Sequence, residues 1–142
     1  MKAVFVPKKI IDEALLTPPV AGKHPLAVFK AYLETQGVPV GTIDILENHE
    51  VGRFENMTEI HDRAADLWIG ISGEITFVVG GEVIDLKPHP QGKPNEWRGK
   101  EIKNGTEYAV GPYEVLYIPG GVPHTHFGNG RLFIIKIPNL KN

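Results

Sequence analysis

Glycine and proline interrupt this chain at short intervals, and that punctuation limits what it can become. The 16 glycines and 12 prolines are scattered rather than clustered. Between them lie short runs rich in β-branched and aromatic residues, such as residues 41–47, 74–79 and 132–137. Turn formers at this spacing leave little room for long helices and favour many short strands, so a mostly-β barrel or sandwich is expected. Helical spacing is confined to the N-terminal part. Leu26, Phe29 and Leu33, with Val28 and Tyr32 beside them, predict a helix over residues 25–36 that ends at Gly37. Residues 10–16 predict a further helical turn, stopped at Thr17-Pro18-Pro19, and residues 4–6 a short edge strand.

Further along, residues 53–61 read as one strand with Arg53, Glu55, Met57, Glu59 and His61 on a single face, since strand side chains alternate. Gly80-Gly81 predicts a two-residue hairpin leading into a strand over 82–86. Residues 87–103 carry Pro88, Pro90, Gly92, Pro94 and Gly99 and predict a long loop, either a lid or an interface or a tolerated insertion.

At 142 residues the chain can build one domain but not two ordinary ones. A formal net charge of −2 gives no bulk attraction to nucleic acid or anionic membranes. No apolar run is long enough to span a bilayer, and the N-terminal apolar stretch is too short for a secretory signal. The absence of cysteine excludes disulfides, thiolate nucleophiles and cysteine-ligated zinc. The expectation is a cytoplasmic protein that binds a small molecule and neither nucleic acid nor membrane.

Chemistry concentrates in two stretches. Glu59-Ile60-His61 places a carboxylate and an imidazole on one strand face, and the chain can return through residues 62–65 to set Asp66 beside them. His124 follows the turn Pro119-Gly120-Gly121-Val122-Pro123, which can aim it inward, with His126 on the same face. Four such groups predict a divalent metal site of Glu59, His61, Asp66 and His124, suited to Zn, Mn, Fe or Ni. The competing account is a metal-free polar face in which Glu59 or Asp66 neutralises Arg53 or Arg63. Trp68 is a pocket wall or a core aromatic. Lys136, in an apolar strand, either snorkels outward or meets a substrate carboxylate inside the cavity. Arg53 and Glu55 are placed at the cavity mouth, and His24, His49 and His89 show no partner at useful spacing.

The two stretches resemble the motifs of the cupin superfamily. The first motif reads H-x-H, four residues, E, six residues, G; here it is Glu59-x-His61, four residues, Asp66, six residues, Gly73. The second contains P-x-G, two residues, H, matched by Pro119-x-Gly121 and His124. Glu59 replaces the leading histidine, Asp66 the glutamate and Tyr113 the second motif's leading glycine, while Asn129 lies one residue late. The Glu-x-His and Gly-Glu pattern is also similar, at fewer positions, to the YhcH/EbgC-like sugar-metabolism cupins.

The resemblance implies an all-β cupin double-stranded β-helix, a jelly-roll barrel with one or two short N-terminal helices. Residues 1–142 would form a single cupin domain with an arm over about 1–39 and a barrel over about 40–138. It also implies a homodimer, with the expected strand at residues 4–6 as a pairing edge. The expected activity is that of a metal-dependent isomerase, epimerase or lyase acting on a sugar or sugar acid by Lewis-acid catalysis. Glu59, His126 and Lys136 are the candidate catalytic groups. Two alternatives stand beside it, a non-heme metal dioxygenase and a non-enzymatic small-ligand-binding cupin.

Overall fold

The computed structural model describes residues 2–139. In chain order the elements are α1 (Lys8–Leu15), β1 (Gly22–Pro25), α2 (Ala27–Thr35), β2 (Ile43–Val51), β3 (Thr58–His61) and β4 (Ala64–Val79). After them come β5 (Glu82–Ile84), β6 (Lys87–Pro88), β7 (Glu96–Gly99), β8 (Glu101–Lys103), β9 (Thr106–Val110), β10 (Val115–Ile118) and β11 (His124–Pro138). Every strand pairing is antiparallel. The molecule is an all-β fold with two short N-terminal helices, as the turn-rich sequence predicts.

Strand β11 is the hub. It pairs with β4 from His124↔Val79 to Pro138↔Ala64 and with β2 from Gly128↔Val51 to Ile135↔Ile43. At its start, His124 lies opposite Glu59 of β3, from which the ribbon continues through β7 to β6. Alternation along these strands explains two separate cores. Leu46, Leu132 and Ile134 point into the barrel and join Trp68, Ile75, Phe77, Val110 and Ile118. Ile45, with Ile43 and Phe133 against it, points the other way and packs under Ala14, Leu26, Phe29 and Leu33 of the helical arm. Both faces of this sheet are therefore covered, which is why its strands read as nearly continuous apolar runs. Phe29 meets Phe133 edge-to-face at 6.0 Å; truncating it to alanine should cost about 3–5 kcal/mol.

Several expectations from the sequence need correction. Residues 4–6 are not a strand; Val6 instead packs on the helical core, and the Phe5 carbonyl accepts a bond from the Tyr32 hydroxyl. The strand expected over 53–61 shrinks to β3, because Glu55 N bonds Gly52 O in a turn and Phe54 adopts φ 59°. Arg53 and Glu55 therefore do not continue the Glu59 face. Both are exposed, and Arg53 pairs with Glu107 and lies 4.5 Å over the Phe127 ring.

Gly80 and Gly81 do turn the chain, with φ 78° and 74°, but the strand that follows pairs with β8 rather than folding back on β4. The edge of β4 is already taken by β9, with Val79 opposite Thr106. The long loop expected over 87–103 contains β6, β7 and β8. Its prolines and glycines fall at strand ends and turns, where a missing N–H or a positive φ is tolerated. No helix among the described residues is long and apolar enough to cross a membrane.

Candidate metal centre

The turn after β10 sets the geometry of the centre. Gly121, at φ 83°, donates its N–H to the His61 carbonyl at 2.8 Å, which ties the end of β3 to the start of β11. His124 then faces the barrel interior directly opposite Glu59. Asp66 arrives from β4, paired across the ladder with Lys136 of β11. Glu59, His61 and His124 offer donor atoms that all lie within 4.8 Å of one another. His61 Nε2 is 3.3 Å from Glu59 Oε2 and 3.6 Å from Asp66 Oδ2; His124 Nε2 is 3.2 Å from Asp66 Oδ2 and 3.9 Å from Glu59 Oε2. Donors about 2.0–2.2 Å from a common tetrahedral ion stand about 3.3–3.6 Å apart, so these separations suit one.

The ring nitrogens are oriented for this role. A carboxylate only accepts, so His61 Nδ1 donates to Glu96, at 2.7 and 2.8 Å from its two oxygens. His124 Nδ1 donates to the Val122 carbonyl at 3.1 Å. In both rings Nδ1 donates to an acceptor of the protein and Nε2 faces the centre, where His61 Nε2 also meets Lys136, the arrangement typical of ligating histidines. His124 Nε2 and Asp66 Oδ2 are buried with no hydrogen-bond partner. Two such atoms facing each other carry a desolvation cost that a shared cation would offset. The residues present therefore fit a divalent metal ion.

Charge at the centre is strongly coupled. Burial opposes ionisation of Glu59, but the His61 ring and the Lys23 ammonium, 3.1 Å away, hold its carboxyl well below the usual range. Burial likewise opposes ionisation of Asp66, and His124 and Lys136 outweigh it, lowering its pKa. For His61 burial disfavours the charged ring, yet Glu59 and Asp66 prevail and raise the pKa. A metal ion at the centre competes with that proton. Lys136 Nζ lies 2.5 Å from Asp66 Oδ1 and 3.3 Å from His61 Nε2, so it points inward and meets a carboxylate of the protein itself.

Behind the centre the interior is polar but tightly packed. His126 is 2% exposed, with Asn48 Nδ2 donating to its Nδ1 at 2.6 Å, and burial drives its pKa down to about 3. Trp68 is a core aromatic, 5.0 Å from the Phe77 ring and 5.1 Å from His126. The indole N–H of Trp68 and Nε2 of His126 are both buried without partners.

Sequence reasoning missed Glu96, Arg98, Lys23 and Asn48. Glu96 and Arg98 sit on β7 opposite His61 and Glu59. The polar–apolar–polar run Glu96-Trp97-Arg98 is the only local sign of that strand. His24 is not partnerless either, since its Nε2 lies 2.7 Å from Glu47 Oε2.

No family model matches the chain, and no curated protein does. Among solved structures it is similar to the X-ray structure of E. coli ycfD, at 17% identity and TM-score 0.51, covering 81% of this chain and 31% of that one. A recombinant oxalate oxidase in complex with glycolate aligns at 17% identity and TM-score 0.48, over 87% of this chain and 53% of that one. Hydroquinone 1,2-dioxygenase PnpCD in complex with Fe3+ aligns at 15% and TM-score 0.40, over 73% and 26%. The chain thus spans about a third of the length of the E. coli protein. At such identities the likeness is one of fold. With the strand order described above, that fold is the small cupin-type jelly roll expected from the two motifs.

Proposed function

We propose that this protein is a divalent-metal enzyme acting on a small organic anion, with Glu59, His61 and His124 as metal ligands and Asp66 beside them. The observation that carries the reading is the convergence of two imidazole Nε2 atoms and a carboxylate oxygen within 4.8 Å, with Nδ1 of each ring bonded to an acceptor of the protein. When bound, a divalent ion supplies Lewis acidity and, as Fe(II), access to dioxygen.

The reaction class follows from the donor set. With Asp66 held through Oδ1 by Lys136 and left outside the set, two histidines and one carboxylate with other positions open is the arrangement of non-heme iron oxygenases. That favours oxidation by dioxygen over the isomerase or lyase chemistry expected from the sequence. A second reading as an isomerase or lyase draws support from Lys136, a fixed cation beside the donors that would stabilise negative charge developing on a substrate. In either reading Glu96 orients His61, the His61 ring and Lys23 keep Glu59 ionised, and His126 offers a hydrogen bond from the barrel wall.

Elemental analysis of protein purified without added metal is the direct test. About one equivalent of a divalent metal is expected, lost in His61→Ala and in His124→Ala. Oxygen consumption with a panel of organic acids separates the two reaction classes. No stoichiometric metal in the wild type, or metal retained by both variants, would remove the basis for either. Pairing into a homodimer is a further proposal, tested by light scattering; residues 4–6 do not supply the strand edge first expected for it.

A further inference from the structure

A cleft of about 440 Å3 opens on the β3–β7–β6 ribbon, and its position ties it to the donor cluster. In the antiparallel register Glu59 stands opposite Arg98, and Arg98 opposite Lys87. Directly opposed residues share a face, so these three side chains form one row running from the metal centre to the edge of the sheet. Arg98 Nη2 lies 3.8 Å from Glu59 Oε1 and also lines the cleft. The guanidinium is therefore the partition between the two.

The lining is chemically lopsided. Phe54, Met57, Pro88 and Pro90 supply apolar walls. Lys87, Arg98 and Lys100 supply three cations against the single carboxylate of Asp85. Lys87 and Lys100 are exposed, and among the described residues neither takes part in an ion pair. Arg98 itself is held by Glu96 Oε1 at 3.4 Å and by the Trp97 carbonyl at 2.8 Å, so its fork is pre-positioned. The volume falls within the range of about 300–1,000 Å3 used for small ligands.

We propose that this cleft binds the substrate of the metal centre, and that the substrate is an organic acid with an apolar body. The inference rests on the metal reading above and narrows it. The carboxylate lies towards Arg98 and the two lysines, and the Arg98 guanidinium links it to Glu59 and the donor cluster. The body lies against Phe54, Met57 and the prolines. A sugar acid, the substrate expected from the sequence, fits poorly. Its hydroxyl groups need partners that phenyl, thioether and pyrrolidine walls do not supply, and each buried without one costs free energy.

The test is calorimetric titration of the purified protein with benzoate, with benzamide as its neutral counterpart and gluconate as the sugar acid. Benzoate should bind at least tenfold more tightly than either. The double variant Lys87→Glu/Lys100→Glu should bind benzoate at least tenfold more weakly, with metal content and melting temperature unchanged. Equal affinity for benzoate and benzamide, tighter binding of gluconate, undetectable benzoate binding or an unaffected double variant would each overturn the proposal. If benzoate selection survives in protein that binds no metal, the anion cleft stands and the metal reading is what falls.

Discussion

Two buried clusters of charge lie on opposite faces of the same strands, and they are built to different ends. Under the helical arm, Arg131 donates through Nε to Glu47 at 2.8 Å, through Nη1 to the Leu15 carbonyl at 2.6 Å and through Nη2 to the Thr17 carbonyl. Glu47 receives further bonds from His24, at 2.7 Å, and from the Val20 N–H, at 3.3 Å. Neither side chain has a buried polar atom without a partner. Inside the barrel the opposite holds. His124, Asp66, His126, Trp68 and Asn48 each keep one buried polar atom unpaired. A polar group that the protein satisfies completely holds structure together; one left unsatisfied in a buried place calls for another explanation. The contrast separates a clamp for the N-terminal arm from a cluster whose donors fit a divalent ion.

The largest effect expected from breaking this contrast is on the clamp. Arg131→Met leaves Glu47 buried without its main partner and should cost about 3–5 kcal/mol in urea denaturation, with metal content at full stoichiometry in the folded fraction. A loss below about 1 kcal/mol would mean that the cluster under the helices is not structural. On the barrel side, Glu96→Ala removes the acceptor that orients His61. It should lower metal affinity about 10–100-fold, read by competition with a chromophoric chelator, while the urea midpoint stays near that of the wild type. A large fall in stability with affinity unchanged would reverse the assignment of the two clusters.

The smallest effect is one of pH, and it sharpens the comparison from the clamp side. Burial alone would raise the Glu47 pKa, but Arg131, the Val20 N–H and His24 outweigh it and hold it below the ordinary value of 4.5. With the folded pKa depressed, the native state binds fewer protons than the unfolded one. The stabilisation is complete above pH 4.5 and fades as pH falls through the folded value. Urea midpoints measured downward from pH 5 should therefore drop in the wild type, and drop less in Arg131→Met, where the main lowering partner is gone. Equal slopes for the two proteins would remove Glu47 from the account.

What could be read in the sequence divides along similar lines. The positions of Glu59, His61, Asp66 and His124 were legible because local chemistry fixes them: alternation along β3, a return through residues 62–65, and a Pro-Gly-Gly turn that points β11 inward. The helix over Leu26, Phe29 and Leu33 was legible for the same reason, a period carried by its own residues. Glu96, Arg98 and Lys23 were not, because their roles come from cross-strand register between segments far apart in the chain. Residues 87–103 show the difficulty in one place. Pro88, Pro90 and Pro94 read as a loop, yet the four residues of β7 that end at Gly99 are held as a strand by pairing with β3. Arg53 and Glu55 failed in the other direction. Their alternation continued that of β3, and a turn at residues 52–55 breaks it.

Strand β11 carries parts of both clusters on alternate residues: His124, His126 and Lys136 face the barrel, while Arg131 faces the helices. A slip of one residue in its alignment would swap those sides, dropping a guanidinium into the oily interior and turning the imidazoles out towards the arm. Docking of the N-terminal arm and the gathering of the donor cluster thus depend on the same alignment. A chain without that alignment has neither a seated arm nor a gathered donor cluster, and a chain with it has both.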